Sequence, residues 1–158
     1  MINRMLFISF AFLSMGNMHP TSAVIVTVTV GDSIVYAGTN AMIPLWVEVK
    51  KGYHIQANKV DDESLIPTTL EVTDDKNISI IKQEFPLAKN FKLEGTNTSM
   101  KVYDGRFLIK LFLRSAAKTQ TGKYVLLAKL RYQACDSRTC LFPRFIDFSL
   151  PVVVQTKK

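Results

Sequence analysis

The sequence predicts an all-β sandwich. Apolar and polar residues alternate with period two through most of the chain, turn-forming residues punctuate that alternation at short intervals, and no stretch sustains a helical period. Many short alternating segments separated by turns are the pattern of two sheets packed face to face. Val24 to Val30 is built of Val, Ile and Thr and ends at Gly31-Asp32. Ile43, Leu45, Val47 and Val49 form an inward row against Pro44, Trp46, Glu48 and Lys50, and Lys51-Gly52 closes that strand. Leu65 to Val72 and Ile78 to Phe85 are shorter strands on either side of Asp74-Asp75-Lys76-Asn77. Phe107, Ile109, Leu111 and Leu113 give the next row. Thr121-Gly122 then turns into Tyr124, Leu126, Ala128, Leu130, Tyr132 and Ala134, all on one face. Ile146, Phe148, Leu150 and Val152 form the last row. Trp46 has the opposite parity to its neighbours, so it is expected to be largely buried beneath a covering loop or strand edge. Pro86 to Met100 shows neither alternation nor a helical face, and a long loop in a compact domain is often functional.

The amino terminus reads differently. Arg4 is the only charge in the first 23 residues, Leu6 to Met15 is apolar, and Thr21-Ser22-Ala23 offers small residues for cleavage. A short apolar core behind a positive start predicts a secretory signal over residues 1–23, with a mature domain over 24–158. That places the domain where a disulfide persists. About 135 residues suit one domain with one core. The formal charge of +7 is spread along the chain and is not gathered into a basic block interleaved with aromatics, which argues against nucleic acid. His54 is the only histidine of the mature chain, which removes most hydrolytic triads and zinc sites.

Cys135 and Cys140 are the only cysteines. Strand-like segments flank them, so they face each other across the mouth of a hairpin. On the preceding strand the inward row is even-numbered, so Cys135 leaves it for the other face or the edge. Asp136-Ser137-Arg138-Thr139 supplies turn formers, and Pro143 bends the return strand just after Cys140. A disulfide across so small a loop stabilises by only ~2 kcal/mol in the chain-entropy account. Local pairing beside a bend suits exchange, and a structural staple is the alternative. Arg138 and Arg144 favour a thiolate whereas Asp136 opposes it. Two thiolates with His54, Met42 or Met100 are also a donor set for copper or zinc. The two-pair spacing of a zinc site is missing, so neither metal nor any other cofactor is expected.

Trp46, Gly52-Tyr53-His54-Ile55, Leu65-Ile66-Pro67, Phe85-Pro86, Val102-Tyr103-Asp104-Gly105 and Tyr132-Gln133-Ala134-Cys135 with Cys140-Leu141-Phe142-Pro143 together resemble the amino-terminal periplasmic domain of the bacterial thiol:disulfide interchange protein DsbD. The Tyr-Gln-Ala-Cys…Cys-Leu-x-Pro segment is the most specific part. The resemblance implies an immunoglobulin-like sandwich with a redox-active cysteine pair, Cys135 and Cys140, at one end. It implies a component of a protein-disulfide reductase, in which Cys140 forms the mixed disulfide and Cys135 resolves it. The family caps its pair with an aromatic residue on a loop. Lys89 to Ser99 occupies that place and Phe91 is the candidate. Tyr53 and His54 match a position where the family has aromatics near the cysteines. The implied partners are periplasmic thioredoxin-fold proteins and a separate membrane electron donor, with no small-molecule substrate. A binding module with a structural disulfide, or a copper-binding domain, are the rival functions.

Overall fold

The computed structural model describes residues 24–95 and 99–157. The expected export signal lies outside the described residues. The described chain is all strand and connection, with no helix, and forms an immunoglobulin-like β-sandwich.

Two four-stranded sheets make the sandwich. The first has the order β1-β3-β9-β6 and is antiparallel throughout, from β1 (Val26–Val30), β3 (Asn40–Val49), β6 (Ile78–Glu84) and β9 (Arg106–Ser115). The second has the order β2-β12-β10-β5, from β2 (Ile34–Tyr36), β5 (Thr69–Val72), β10 (Gly122–Tyr132) and β12 (Arg144–Gln155). Its edge strand β2 runs parallel to β12. Ile43, Leu45 and Val47 of β3, and Ile109, Leu111 and Leu113 of β9, are at most 1% exposed, and they join Leu126, Leu130, Leu150 and Val152 in one core. The alternating rows therefore meet between the sheets as their period requires. Each such side chain contributes about 1.5–3 kcal/mol through burial, in the usual area accounting.

A third sheet has the order β11-β4-β8-β7, from β4 (His54–Gln56), β7 (Lys89–Lys92), β8 (Ser99–Tyr103) and β11 (Ala134–Cys135). Asp104-Gly105, with Gly105 at φ 58°, returns the chain from this sheet to the first one through β9. The segment expected to be an unpatterned loop is thus largely a β-hairpin. Its inward residues Phe91 and Leu93, then Met100 and Val102, do alternate, but each run spans only two apolar residues.

Two other expectations need correction. Leu65 to Val72 is strand only from Thr69, because Pro67 has no N–H to give a ladder and the Ile66 N–H goes to the Gln133 side chain at 2.9 Å. Trp46 is half-buried rather than enclosed. It lies on the outer face of the first sheet, and the Arg106 guanidinium covers its ring at 4.6 Å. Neither a loop nor a strand edge is needed for that cover. Leu111→Ala, in the middle of β9, should lower the unfolding free energy by about 3 kcal/mol. Trp46→Ala should cost clearly less, and urea denaturation of the two variants compares them. Equal losses would mean that Trp46 is a core residue after all.

Candidate redox site

Lys51-Gly52 turns the chain out of β3, and Gly52 adopts φ 87°, a conformation that glycine takes without steric cost. The turn leads into β4, whose three residues are all buried. Ile55 faces the sandwich core. His54 and Gln56 share the opposite face, since side chains alternate along a strand.

β4 pairs with β11 in the register Ala134↔Ile55 and Cys135↔His54. Ala134 continues the even-numbered row into the sandwich core, while Cys135 turns into a second, smaller cluster with Met100 and Val102. Gln133 makes this changeover possible. Its carbonyl accepts from Gln56 N–H at 3.0 Å, its Nε2 donates to the Leu141 carbonyl at 3.2 Å, and its Oε1 accepts from Ile66 N–H. One residue, through its backbone carbonyl and its side-chain amide, thereby ties together β4, the return segment after Cys140 and the approach to β5.

The turn between the cysteines is self-bonded. The Asp136 carboxylate accepts from the N–H groups of Arg138 and Thr139, both at 2.8 Å, and these bonds hold its pKa below the ordinary value. Leu141 N–H donates to the Ala134 carbonyl at 2.7 Å, and Cys135 and Cys140 face each other as an antiparallel bridge. They are joined by a disulfide with 3.9 Å between their Cα atoms. The two sulfurs are unequally placed. Cys135 is 0% exposed, Cys140 is half-buried, and Phe142 beside it is 90% exposed.

The β7–β8 hairpin lies over the pair. Phe91 stands opposite Met100 in register, and with Leu65 and Leu93 it packs on the Cys135 cluster. Its ring lies 3.8 Å from the His54 ring, tilted by 38°. Glu94 N–H donates to the Ser137 carbonyl at 3.0 Å, and the Glu94 carboxylate pairs with Arg138 at 3.5 Å, so the hairpin is fastened to the cysteine turn. Asp104 pairs with Lys89 at the hairpin's other end.

Of the aromatic and histidine positions singled out in the sequence, the fold brings His54 and Phe91 to the cysteines. Tyr53 packs instead against the sandwich core and lines a shallow groove with Lys89, Asp104 and Arg106. Sequence reasoning missed Gln56, whose Nε2 lies 3.2 Å from Cys135 Sγ and 3.3 Å from Met100 Sδ. No pattern marks it, because polarity at the end of a three-residue strand looks like a surface.

Fold and site together define a small immunoglobulin-like domain with a disulfide-bonded cysteine pair beneath a β-hairpin at one end. The chain belongs to the family described as thiol:disulfide interchange protein DsbD, N-terminal, whose model matches residues 23–150. It is accordingly a thiol:disulfide interchange domain with a disulfide-bonded cysteine pair. Among solved structures it is similar to the N-terminal periplasmic domain of ScsB from Proteus mirabilis, at 15% identity and TM-score 0.57, over 85% of this chain and 48% of that one. The chain thus spans about half the length of that relative. It is also similar to the reduced DsbD N-terminal domain from Neisseria meningitidis, at 14% identity and TM-score 0.47, over 74% of this chain and 82% of that one. A ScaB type I cohesin from Pseudobacteroides cellulosolvens matches at 12% identity and TM-score 0.51, over 85% and 94% of the two chains. At such identities these likenesses concern the fold. No curated protein matches the sequence.

Two outcomes test the cap and its histidine. Phe91→Ala should leave the fold intact and speed alkylation of the reduced cysteines several-fold, and unchanged kinetics in a folded variant would remove the cap. His54 is 5% exposed, its Nε2 has no partner, and burial pushes its pKa below the ordinary 6.5 against the opposing pull of Asp104 and Asp136. The unfolded chain therefore takes up a proton at a pH where folded His54 resists it. Stability should decline as pH falls below about 6.5, levelling off below the folded pKa. His54→Phe should flatten that part of the slope in urea midpoints measured across the window.

Proposed function

We propose that this domain works outside the cytoplasm, in the periplasm, and relays electrons through Cys135 and Cys140 to thioredoxin-fold proteins. One observation carries the reading. The disulfide closes a tight turn at the sheet end with one sulfur enclosed and the other half-exposed beside an apolar shelf formed by Leu141, Phe142 and Pro143. A staple gains nothing from that asymmetry, whereas exchange depends on it, because the attacking sulfur needs an in-line approach to its target.

In the reduced domain the Cys140 thiolate attacks a partner's disulfide. A Cys140–partner disulfide forms, the partner's own S–S bond breaks, and its other sulfur leaves as a thiolate. Cys135 then attacks Cys140 Sγ, closing the intramolecular disulfide and expelling the partner's second thiolate. Two electrons pass from the domain to the partner, and the partner's thiolates take up protons from solvent. Phe91 and His54 shield the pair between encounters, and the partner displaces β7 to reach Cys140. A membrane protein restores the dithiol. Residues 1–23 direct export, and residues 24–158 are the mature domain.

Cys135→Ala removes the resolving thiol. After reduction and mixing with a periplasmic extract it should trap a mixed disulfide with a thioredoxin-fold protein through Cys140, and Cys140→Ala should trap much less. Capture by neither variant would favour a binding module with a structural disulfide. Capture through Cys135 would reverse the two roles.

A further inference from the structure

The side chain of Gln56 is poorly matched to its surroundings while the disulfide is closed. It is 0% exposed, on a strand buried on both faces. Its Nε2 lies 3.2 Å from Cys135 Sγ, 3.3 Å from Met100 Sδ and 3.8 Å from Cys140 Sγ. All three are neutral sulfurs, which are weak acceptors. Its Oε1 is buried with no partner. The backbone, in contrast, is satisfied: the Gln56 N–H donates to the Gln133 carbonyl at 3.0 Å, and its carbonyl accepts from Thr68 Oγ1 at 2.5 Å. The strand therefore does not need this side chain. An apolar residue of similar length would fill the space without an underused buried amide.

Reduction changes the partners on offer. Two electrons and two protons convert the disulfide into two thiols. A thiolate is a far stronger acceptor than a disulfide sulfur, and a thiol S–H is a donor of the kind that Oε1 lacks. The amide is better satisfied beside the reduced pair than beside the oxidised one. Cys135 has need of it. Burial raises a thiol's pKa, and the charges around the site give little net help. Asp136 on the cysteine turn disfavours a thiolate, and Asp104 after β8 is paired with Lys89. Arg138 is paired with Glu94 at the surface, and His54 on β4 is held towards its neutral form by burial.

We propose that Gln56 is a positioning residue of the exchange: its side-chain amide donates to Cys135 and holds that sulfur as a thiolate when it must attack Cys140. The functional part of this inference rests on the reading of Cys135 as the resolving sulfur. While a thiol's pKa lies above the ambient pH, lowering it raises the thiolate fraction faster than it weakens the nucleophile. The hydrogen bond thus speeds closure and release of the partner. Once the disulfide has formed, the bond is weak again, so the same amide tilts the equilibrium towards the dithiol.

Gln56→Leu and Gln56→Met remove the amide and leave an apolar side chain. In the Cys140→Ala background, the ultraviolet thiolate absorbance of Cys135 should titrate about one pH unit higher in either variant, a tenfold loss of thiolate below the midpoint. With Cys140 present, oxidised glutathione added to the reduced chain forms a glutathione mixed disulfide, which acid quenching and mass measurement follow. It should live about threefold longer without the amide, because the tenfold loss of thiolate is partly offset by the stronger nucleophile. In the unsubstituted chain, the Gln56 side-chain amide resonances should titrate with Cys135 when the pair is reduced and stay fixed when it is oxidised, a readout that needs no variant to fold. An unmoved titration in a folded variant, or amide resonances indifferent to Cys135, would overturn the assignment. If the titration moves as expected but glutathione never couples to Cys140, the exchange reading fails and the Gln56 hydrogen bond stands.

Discussion

The cysteine end of the molecule depends on one constraint: β4 must be buried on both faces. Three residues long, it forms the wall between two apolar clusters, with Ile55 in the sandwich core and Gln56 and His54 turned to the cysteines and their cover. β11 on one side and β8 on the other supply its ladder. Such a wall lets a small domain keep a reactive pair against its core without opening the core to water. It also forces polar side chains into an interior where each unsatisfied atom is costly. His54 Nε2 and Gln56 Oε1 are both in that position. Residues that break local packing rules tend to mark the places where function sets the choice.

On the proposed reading the cover must come off. Phe91 is only half-buried, and the links from the hairpin to the cysteine turn include the backbone hydrogen bond from Glu94 to Ser137 and an exposed ion pair between Glu94 and Arg138. An exposed pair of this kind contributes roughly 0–1 kcal/mol. β8 is anchored by its ladder to β4 and by the burial of Met100 and Val102, whereas β7 pairs, among the described residues, with β8 alone and rests on the site through the contacts of Phe91 with His54 and the Met100 cluster. The sandwich beneath is held by two full apolar rows on each side. The weakly held element is the edge strand β7, which on the proposed reading moves while β8 and the sandwich stay folded.

Much of this was legible in the sequence, and the rest failed for identifiable reasons. Strands with one buried face announce themselves through alternation, as Ile43 to Val49 and Leu126 to Tyr132 do. The parity of those rows also places Cys135 off the core face, where it lies. β4 was invisible because His-Ile-Gln is buried on both faces and too short to have a period. β2 was missed as a three-residue parallel edge strand. The hairpin β7–β8 carried a signal in Phe91 and Leu93, then Met100 and Val102, but two apolar residues per strand do not stand out beside the five lysines and asparagines Lys89, Asn90, Lys92, Asn97 and Lys101. Trp46 went the other way: a bulky residue of the wrong parity suggested cover by the chain, and a guanidinium supplies it. The contact between Gln56 and the sulfurs joins residues far apart in sequence, and no local pattern encodes it.

The central claim is that the Cys135–Cys140 bond exists to be exchanged. Its equilibrium with glutathione tests this most directly. A bond that only braces a fold has a reduction potential below about −300 mV and resists glutathione, whereas an exchanging bond sits above that value. The account predicts a potential well above about −300 mV for the whole chain at neutral pH, with dithiol and disulfide both populated in ordinary glutathione mixtures. A disulfide that stays closed until the potential falls clearly below that value would contradict it.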